Sequence, residues 1–223
     1  TMLDLEQMIG QKIDWVTGKP FDKIIIRNQN GKKNTYLPNA TMRFCTTEMK
    51  LKPIFEWWSK KINKVCEMRI GFRASEMKRA KTMLKKTNKN GYTEFKTIIG
   101  RSKTGNQNRW GNIAWQKPAF PLIDDAIFKD DIENFWVDKN VRFAKFNNCV
   151  GCFHRNPILL KHMSNLQPKK FDWFIKQDEK SRKDYNGRTW LMGTTYQQIK
   201  NSFSQIDLFD DDFNECDSGY CGL

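Results

Sequence analysis

The stretch Arg43–Arg79, RFCTTEMKLKPIFEWWSKKINKVCEMRIGFRASEMKR, decides how this chain is parsed. It opens as a polar loop. Pro53 then starts a helix, since a proline in the first helical turn gives up an N–H that has no partner there. Ile54, Phe55, Trp57 and Trp58 make that helix half-buried. Val65–Ile70 reads as a short apolar strand, and Gly71 opens a Gly-Arg loop before a strongly basic helix over Glu76–Lys86. Two clusters therefore flank one strand. One is Arg43-x-Cys45-Thr46 with Lys50-x-Lys52-Pro53, and the other is Gly71-x-Arg73-x-x-Glu76-x-x-Arg79. Loops that meet at strand ends are where an α/β protein holds an anion.

On the N-terminal side, Met2–Ile9 suggests a helix with Leu3, Leu5, Met8 and Ile9 on its apolar face. Lys12–Val16 suggests a strand, Thr17–Pro20 a turn, and Ile24–Ile26 a short strand or buried segment. Asn28–Asn39 reads as a polar loop broken by Gly31 and Pro38. On the C-terminal side, Asn88–Gly91 is a turn. Residues 92–117, with Gly100, Gly105 and Gly111, read as an irregular and mobile surface segment. Asp130 is expected to cap a helix that runs to Asn140, and Phe143–Phe146 suggests a strand. Pro157 and Pro168 each begin a helix. Thr194 or Thr195 caps a last one before an acidic, Gly- and Cys-rich tail. Helices alternating with short apolar strands favour an α/β layered fold.

Of the 223 residues, 39% are hydrophobic and 13% aromatic, enough for a core. No apolar run approaches the roughly 18 residues of a membrane span, so no membrane partner is expected. The charge is lopsided. Residues 1–120 hold 25 Lys/Arg against 9 Asp/Glu, a surplus of +16, while the rest holds 14 against 16, or −2. A basic half calls for an anionic partner: nucleotide, sulfate, phosphate or nucleic acid. Four of the six cysteines form short-spaced pairs, Cys149-x-x-Cys152 and Cys216-x4-Cys221. With no signal peptide in view, metal or redox chemistry is preferred to structural disulfides, and a cytoplasmic setting is expected.

Each cluster has a chemical reading and a plainer one. Arg43, Lys50 and Lys52 suit phosphate or sulfate oxygens through charge-assisted hydrogen bonds; the plainer reading is a solvated helix end. Gly71 would let the backbone approach a ligand, Arg73 would reach it, and Glu76 would pair with Arg73 or Arg79 and hold it in place. Cys45, between Arg43 and Thr46, is either a thiol made reactive by a nearby cation or a small buried side chain; Cys66 is core. Two Cys pairs suit tetrahedral zinc or a [4Fe–4S] cluster, with a redox disulfide or unlinked thiols as the alternatives. His154 is a substitute ligand in that picture. Arg101–Trp115 mixes Trp110 with Arg101, Lys103 and Arg109 in a way that fits nucleic acid. A surface loop with a buried tryptophan is preferred there.

Taken together, Arg43-Phe-Cys45-Thr46-Thr-Glu-Met-Lys50-Leu-Lys52-Pro53, Ile70-Gly71-Phe-Arg73-Ala-Ser-Glu76-Met-Lys-Arg79 and Phe120-Pro121-Leu122-Ile123 resemble the phosphoadenosine-phosphosulfate reductase family, within the adenine-nucleotide α-hydrolase (PP-loop) superfamily. The Cys-Val-Gly-Cys and Cys-Asp-Ser-Gly-Tyr-Cys segments resemble its phage and bacterial branch. The resemblance covers roughly residues 1–160 plus the tail. It implies a partial Rossmann-like parallel sheet with helices on both faces over 1–145, followed by a helical, Cys-containing lobe over 146–223. It also implies an adenine nucleotide, ATP or an adenylyl sulfonucleotide, held by Arg43, Cys45, Thr46, Lys50, Lys52, Gly71, Arg73, Glu76 and Arg79. A [4Fe–4S] cluster, with zinc as the alternative, would sit on Cys149, Cys152, Cys216 and Cys221.

Two departures shape the functional expectation. The family's SGGxDS-like phosphate loop is not in this sequence and would precede Thr1, so the 223-residue piece alone is expected to be inactive. The Glu-Cys-Gly-x-His tail of the assimilatory enzymes is replaced by Glu215-Cys216-Asp-Ser-Gly. The expected activity is sulfur reduction or transfer, or cleavage of ATP between its α- and β-phosphates. The expected partners are the nucleotide, a thioredoxin-like reductant or DNA, and a second copy of the chain. The alternative is a metal-stapled nucleic-acid-binding protein, or an accessory to DNA modification of the phosphorothioation kind.

Overall fold

A computed structural model describes residues 2–29, 31–143, 149–184 and 189–202. The chain order is α1 (Met2–Ile9), α2 (Phe21–Ile24), β1 (Ile26–Gln29), β2 (Lys32–Thr35), α3 (Phe44–Thr46), a π-helical turn (Thr47–Leu51), α4 (Lys52–Lys61) and β3 (Cys66–Arg69). A 3-10 turn (Ala74–Glu76) follows, then α5 (Met77–Leu84), β4 (Thr93–Arg101), β5 (Asn108–Ala119), α6 (Pro121–Asp124), α7 (Lys129–Val137), α8 (Pro157–Leu166), α9 (Pro168–Asp184) and α10 (Tyr196–Asn201). The fold is mixed α/β. None of these helices is long and apolar enough to cross a membrane.

The chain divides into two compact units, each built from two stretches. The first is Thr1–Val16 with Pro53–Phe143, and the second is Thr17–Lys52 with Ala144–Leu223. The expected division at residue 145 runs near one of these borders. Residues 17–52, however, group with the C-terminal stretch and not with the sheet.

The first unit holds a three-stranded sheet in the order β3-β5-β4. β3 runs parallel to β5, with Cys66 opposite Gln116, and β4 runs antiparallel to β5. Phe55, Trp58 and Trp115 are buried against it, with Phe95 stacked on Phe55 at 4.5 Å and Trp115 edge-on to Trp58 at 6.1 Å. Aromatic pairs in these offset and edge-to-face arrangements add to plain area burial. The Trp58 indole N–H is satisfied by the Lys64 carbonyl at 3.0 Å. Beside α1, Arg142 grips Asp4 with its Nε, its Nη2 and its backbone N–H, 2.7–3.1 Å away.

The second unit has its own core of Ile24, Ile25, Leu37, Phe153, Leu160, Met163, Phe171, Phe174, Ile175, Trp190, Tyr196 and Ile199. β1 and β2 form a hairpin with Ile26 opposite Thr35. Long-range hydrogen bonds tie that hairpin to α9: Ser181 donates to the Thr35 carbonyl at 3.2 Å, and Thr35 donates to Asp184 from both N–H and hydroxyl.

Several elements depart from the sequence reading. Helical residues begin before Pro53, at Phe44. A proline inside a helix loses an N–H and crowds the carbonyl four residues back. The π turn precedes it, with the Lys52 N–H reaching back to the Thr47 carbonyl. Lys12–Val16 is not a strand; the Ile13 N–H bonds to the Glu6 carboxylate at 2.8 Å instead, and Trp15 is exposed. Ile24 ends a short helix and only Ile26 enters a strand. Asn28–Asn39, read as loop, contains β2. Residues 92–117 are not irregular but form the β4–β5 hairpin. Asp130 does not cap α7. Asp131 bonds back to the Phe128 N–H at 2.8 Å, as an acidic residue in the first helical turn does. Of the strand expected at Phe143–Phe146, residues 144–146 lie outside the described residues.

Candidate functional site

The sequence-predicted binding residues fall in both units. Arg43, Cys45, Thr46, Lys50 and Lys52 belong to the second unit, as do Cys149 and Cys152. Gly71, Arg73, Glu76 and Arg79 belong to the first.

In the second unit, a local turn brings the first Cys pair together, with the Cys152 N–H donating to the Cys149 carbonyl at 3.2 Å. Arg155 closes this loop. Its N–H bonds to the Cys152 carbonyl at 2.9 Å and its Nε to the Cys149 carbonyl at 3.3 Å. The core holds the loop from below. A Cβ on Gly151 would stand 2.5–2.8 Å from the Phe174 ring, and the buried Tyr196 hydroxyl donates to the Gly151 carbonyl at 3.0 Å. Burial pushes the Tyr196 phenol well up, so it stays a donor.

Around this loop sit the residues of the Arg43 cluster. Burial raises the Cys45 thiol, the Thr46 N–H opposes that, the charges of Cys149 and Cys152 add to it, and Arg43 pulls against it. The net direction is up. Desolvation outweighs Arg43, which favours the reading of Cys45 as a small buried thiol over that of a cation-activated one. Burial and Cys152 likewise raise Cys149, against Lys50 and Arg155. His154 is lowered first by burial and then by Arg43. These mutual effects place Arg43, Cys45, Lys50, Cys149, Cys152 and His154 in one electrostatic neighbourhood. Lys50 lies in the π turn, Thr46 just before it, and Lys52 pairs loosely with Glu48 at 3.9 Å.

Cys149 and Cys152 bring two sulfur donors to a glycine turn, which as thiolates suit zinc or an iron–sulfur cluster. Among the described residues, no three His, Cys, Asp or Glu side chains are placed to hold a metal. The other two expected ligands, Cys216 and Cys221, lie outside the described residues. Cys66 packs half-buried beside Trp115.

In the first unit, the Gly-Arg loop follows the end of β3. The Glu76 carboxylate accepts from the Arg73 N–H at 3.0 Å and Arg73 Nε at 3.3 Å, and it also pairs with Arg79. Arg79 lies over the Phe72 ring at 4.3 Å, and Phe72 stacks on Phe120 at 5.6 Å. Partial burial alone would raise Glu76, but the Arg73 N–H and the two guanidiniums prevail and hold it below its ordinary value. A Cβ at Gly71 would meet only Leu122 at 4.0 Å, so packing within the protein does not demand glycine there.

Sequence reasoning missed Tyr196, Phe174 and Arg155. The first two act across the fold and leave no local trace. Arg155, three residues past Cys152, was the one within reach of a motif reading. Compared with protein-family models, with curated proteins and with solved structures, the chain matches none of them.

Proposed function

We propose that this chain is a phosphoadenosine-phosphosulfate reductase-like protein that binds an adenine nucleotide or its sulfate adduct and serves sulfur reduction or transfer, or cleavage of ATP between its α- and β-phosphates. One observation carries the reading: Cys45 and the Cys149–Cys152 loop, through Val150, pack against the same core, with Arg43 and Lys50 flanking Cys45 along the chain and acting electrostatically on these thiols. Cations draw a phosphate or sulfate, and thiols are the groups that accept or donate sulfur and electrons. In this reading Arg43 and Lys50 pair with anionic oxygens, while Arg73 and Arg79, oriented by Glu76, serve the same ligand class. A Rossmann-like sheet belongs to the same reading, and the parallel β3–β5 pair supports it.

Cys149 and Cys152, with Cys216 and Cys221, would hold a [4Fe–4S] cluster or zinc. Such a group supplies electron transfer in the first case and a structural staple in the second. Gly151, Tyr196 and Arg155 keep the first two ligands in place. Calorimetric titration of the folded chain with ATP and with adenosine 5′-phosphosulfate tests the proposal. Lys50→Ala is expected to weaken whichever nucleotide binds by about tenfold, the scale of one charge-assisted hydrogen bond. A folded chain that binds neither nucleotide sinks the reading.

A further inference from the structure

From Phe95 to Ile123 the chain has five cations, Lys96, Arg101, Lys103, Arg109 and Lys117, and no carboxylate. The fold makes a ribbon of this stretch together with Thr93 and Glu94, the one carboxylate of the two strands, which accepts from the Asn88 amide at 2.9 Å. β4 and β5 pair from Thr93 opposite Gln116 to Arg101 opposite Asn108, with β4 at the edge of the sheet. Ile98 stands directly opposite Trp110, and the next pair on the same face is Lys96 opposite Asn112. Among the described residues nothing covers this face: Trp110 is 56% exposed and Ile98 47%. On the opposite face Phe95 and Ile113 pack against the core, so the outward direction of Trp110 is fixed by the strand's alternation.

The tip is built as well. A bulge falls between Ile98 and Gly100, where Ile99 covers Gly111. The Arg109 side chain crosses Gly100, with Nη2 3.7 Å from where a Cβ would be. Arg101 Nη1 donates to the Gly105 carbonyl at 3.2 Å and holds the loop closed.

We infer that the outward face and tip of the β4–β5 hairpin bind single-stranded nucleic acid, with Trp110 stacking on a base beside Ile98, and Lys96, Lys103 and Arg109 meeting phosphates. A nucleic acid offers both a π-face and a negative charge in every nucleotide, which is the pairing this surface presents. A duplex hides its base faces in the stack, so the exposed indole selects the single strand. An anionic membrane would meet the loop first. That loop, Arg101–Arg109, is polar throughout and costly to immerse. The site lies in the first unit and makes no use of Arg43, Lys50 or the cysteines, so it stands independently of the nucleotide reading.

Fluorescence anisotropy of a labelled mixed-sequence single-stranded oligonucleotide, titrated with the 223-residue chain over a range of salt, tests this. Trp110→Ala is expected to weaken binding about tenfold, and Trp110→Phe to retain most of it. Lys103→Ala is expected to lower the slope of log K against log salt by about one phosphate contact. Thermal melts check that the variants fold, which the exposure of these positions favours. Trp110→Ala binding as tightly as the parent overturns the inference. So does equal affinity for a duplex of the same sequence. Binding to phosphatidylserine vesicles, lost in Trp110→Ala while the oligonucleotide does not bind, also overturns it.

Discussion

Gly151 abuts the Phe174 ring, with no room between them for even a methyl group. The ring belongs to the core of the second unit and is itself wedged among Trp173, Trp190 and Tyr196, at 5.0, 5.3 and 6.2 Å. Moving it means moving its neighbours.

Gly151→Ala is therefore expected to cost about 1–3 kcal/mol, the range for overpacking a filled site. Urea denaturation reads this as a lower midpoint at unchanged slope. Gly111→Ala is the control. Its Cβ would meet Ile99 Cδ1 at 2.6 Å and both Cγ atoms at 3.1 Å, but this side chain is half-exposed and can turn away where Phe174 cannot. Equal costs at the two positions would mean that the Phe174 contact is not what holds the loop.

Glu76 is held ionised by the Arg73 N–H, Arg73 and Arg79. Its folded pKa lies below the ordinary 4.5, so its contribution is present above that value and is lost as pH falls through the folded value. Glu76→Gln is expected to destabilise the first unit by about 1 kcal/mol at pH 7. The gap from the parent should close in acid. A gap that is constant from neutral to acid pH would place the effect in packing rather than charge.

Asp178 behaves in the opposite sense. It is buried beneath Trp190 and Tyr196, and desolvation raises it against Arg182 and the backbone N–H groups of those two residues. The folded form holds its proton more tightly than the unfolded chain. The carboxylate therefore takes away stability as pH rises from the ordinary 3.8 through the folded value. Asp178→Asn keeps the shape and removes that titration. The variant should gain on the parent as pH rises towards neutrality, measured by thermal melts across that window. A parent-to-variant difference that does not vary with pH contradicts this.

On the proposed function, Cys149→Ser and Cys152→Ser lower the iron or zinc retained by anaerobically purified protein. Elemental analysis gives the amount, and the visible absorption spectrum separates iron–sulfur from zinc. Undiminished metal in both variants would remove this loop from the ligand set.

What the sequence made legible was local. Pro157 opening α8 and Thr195 exchanging bonds with Gln198 at α10 are signals contained within a few residues, although the Asn156 cap on α8 was not read. The i,i+3 spacing of Arg73, Glu76 and Arg79 was readable for the same reason. The β4–β5 hairpin was not. Its bulges at Thr93/Glu94 and Ile98/Gly100 break the two-residue alternation, and its glycines imitate a loop. The cation that was to activate Cys45 was visible, but the burial that outweighs it is a property of the assembled unit. Nor does any local pattern pair Tyr196 with Gly151.

The second unit closes only when chain made before the sheet meets chain made after it. Ile24, Ile25 and Leu37 are buried with Phe171, Phe174 and Tyr196, and the whole of Pro53–Phe143 is synthesised in between. On the ribosome, the early isoleucines must wait exposed until α9 and α10 emerge. Assembly of this unit is thus set by long-distance encounter rather than by local helix formation, and it should be the slower of the two. Until then it is the part of the nascent chain most in need of a chaperone.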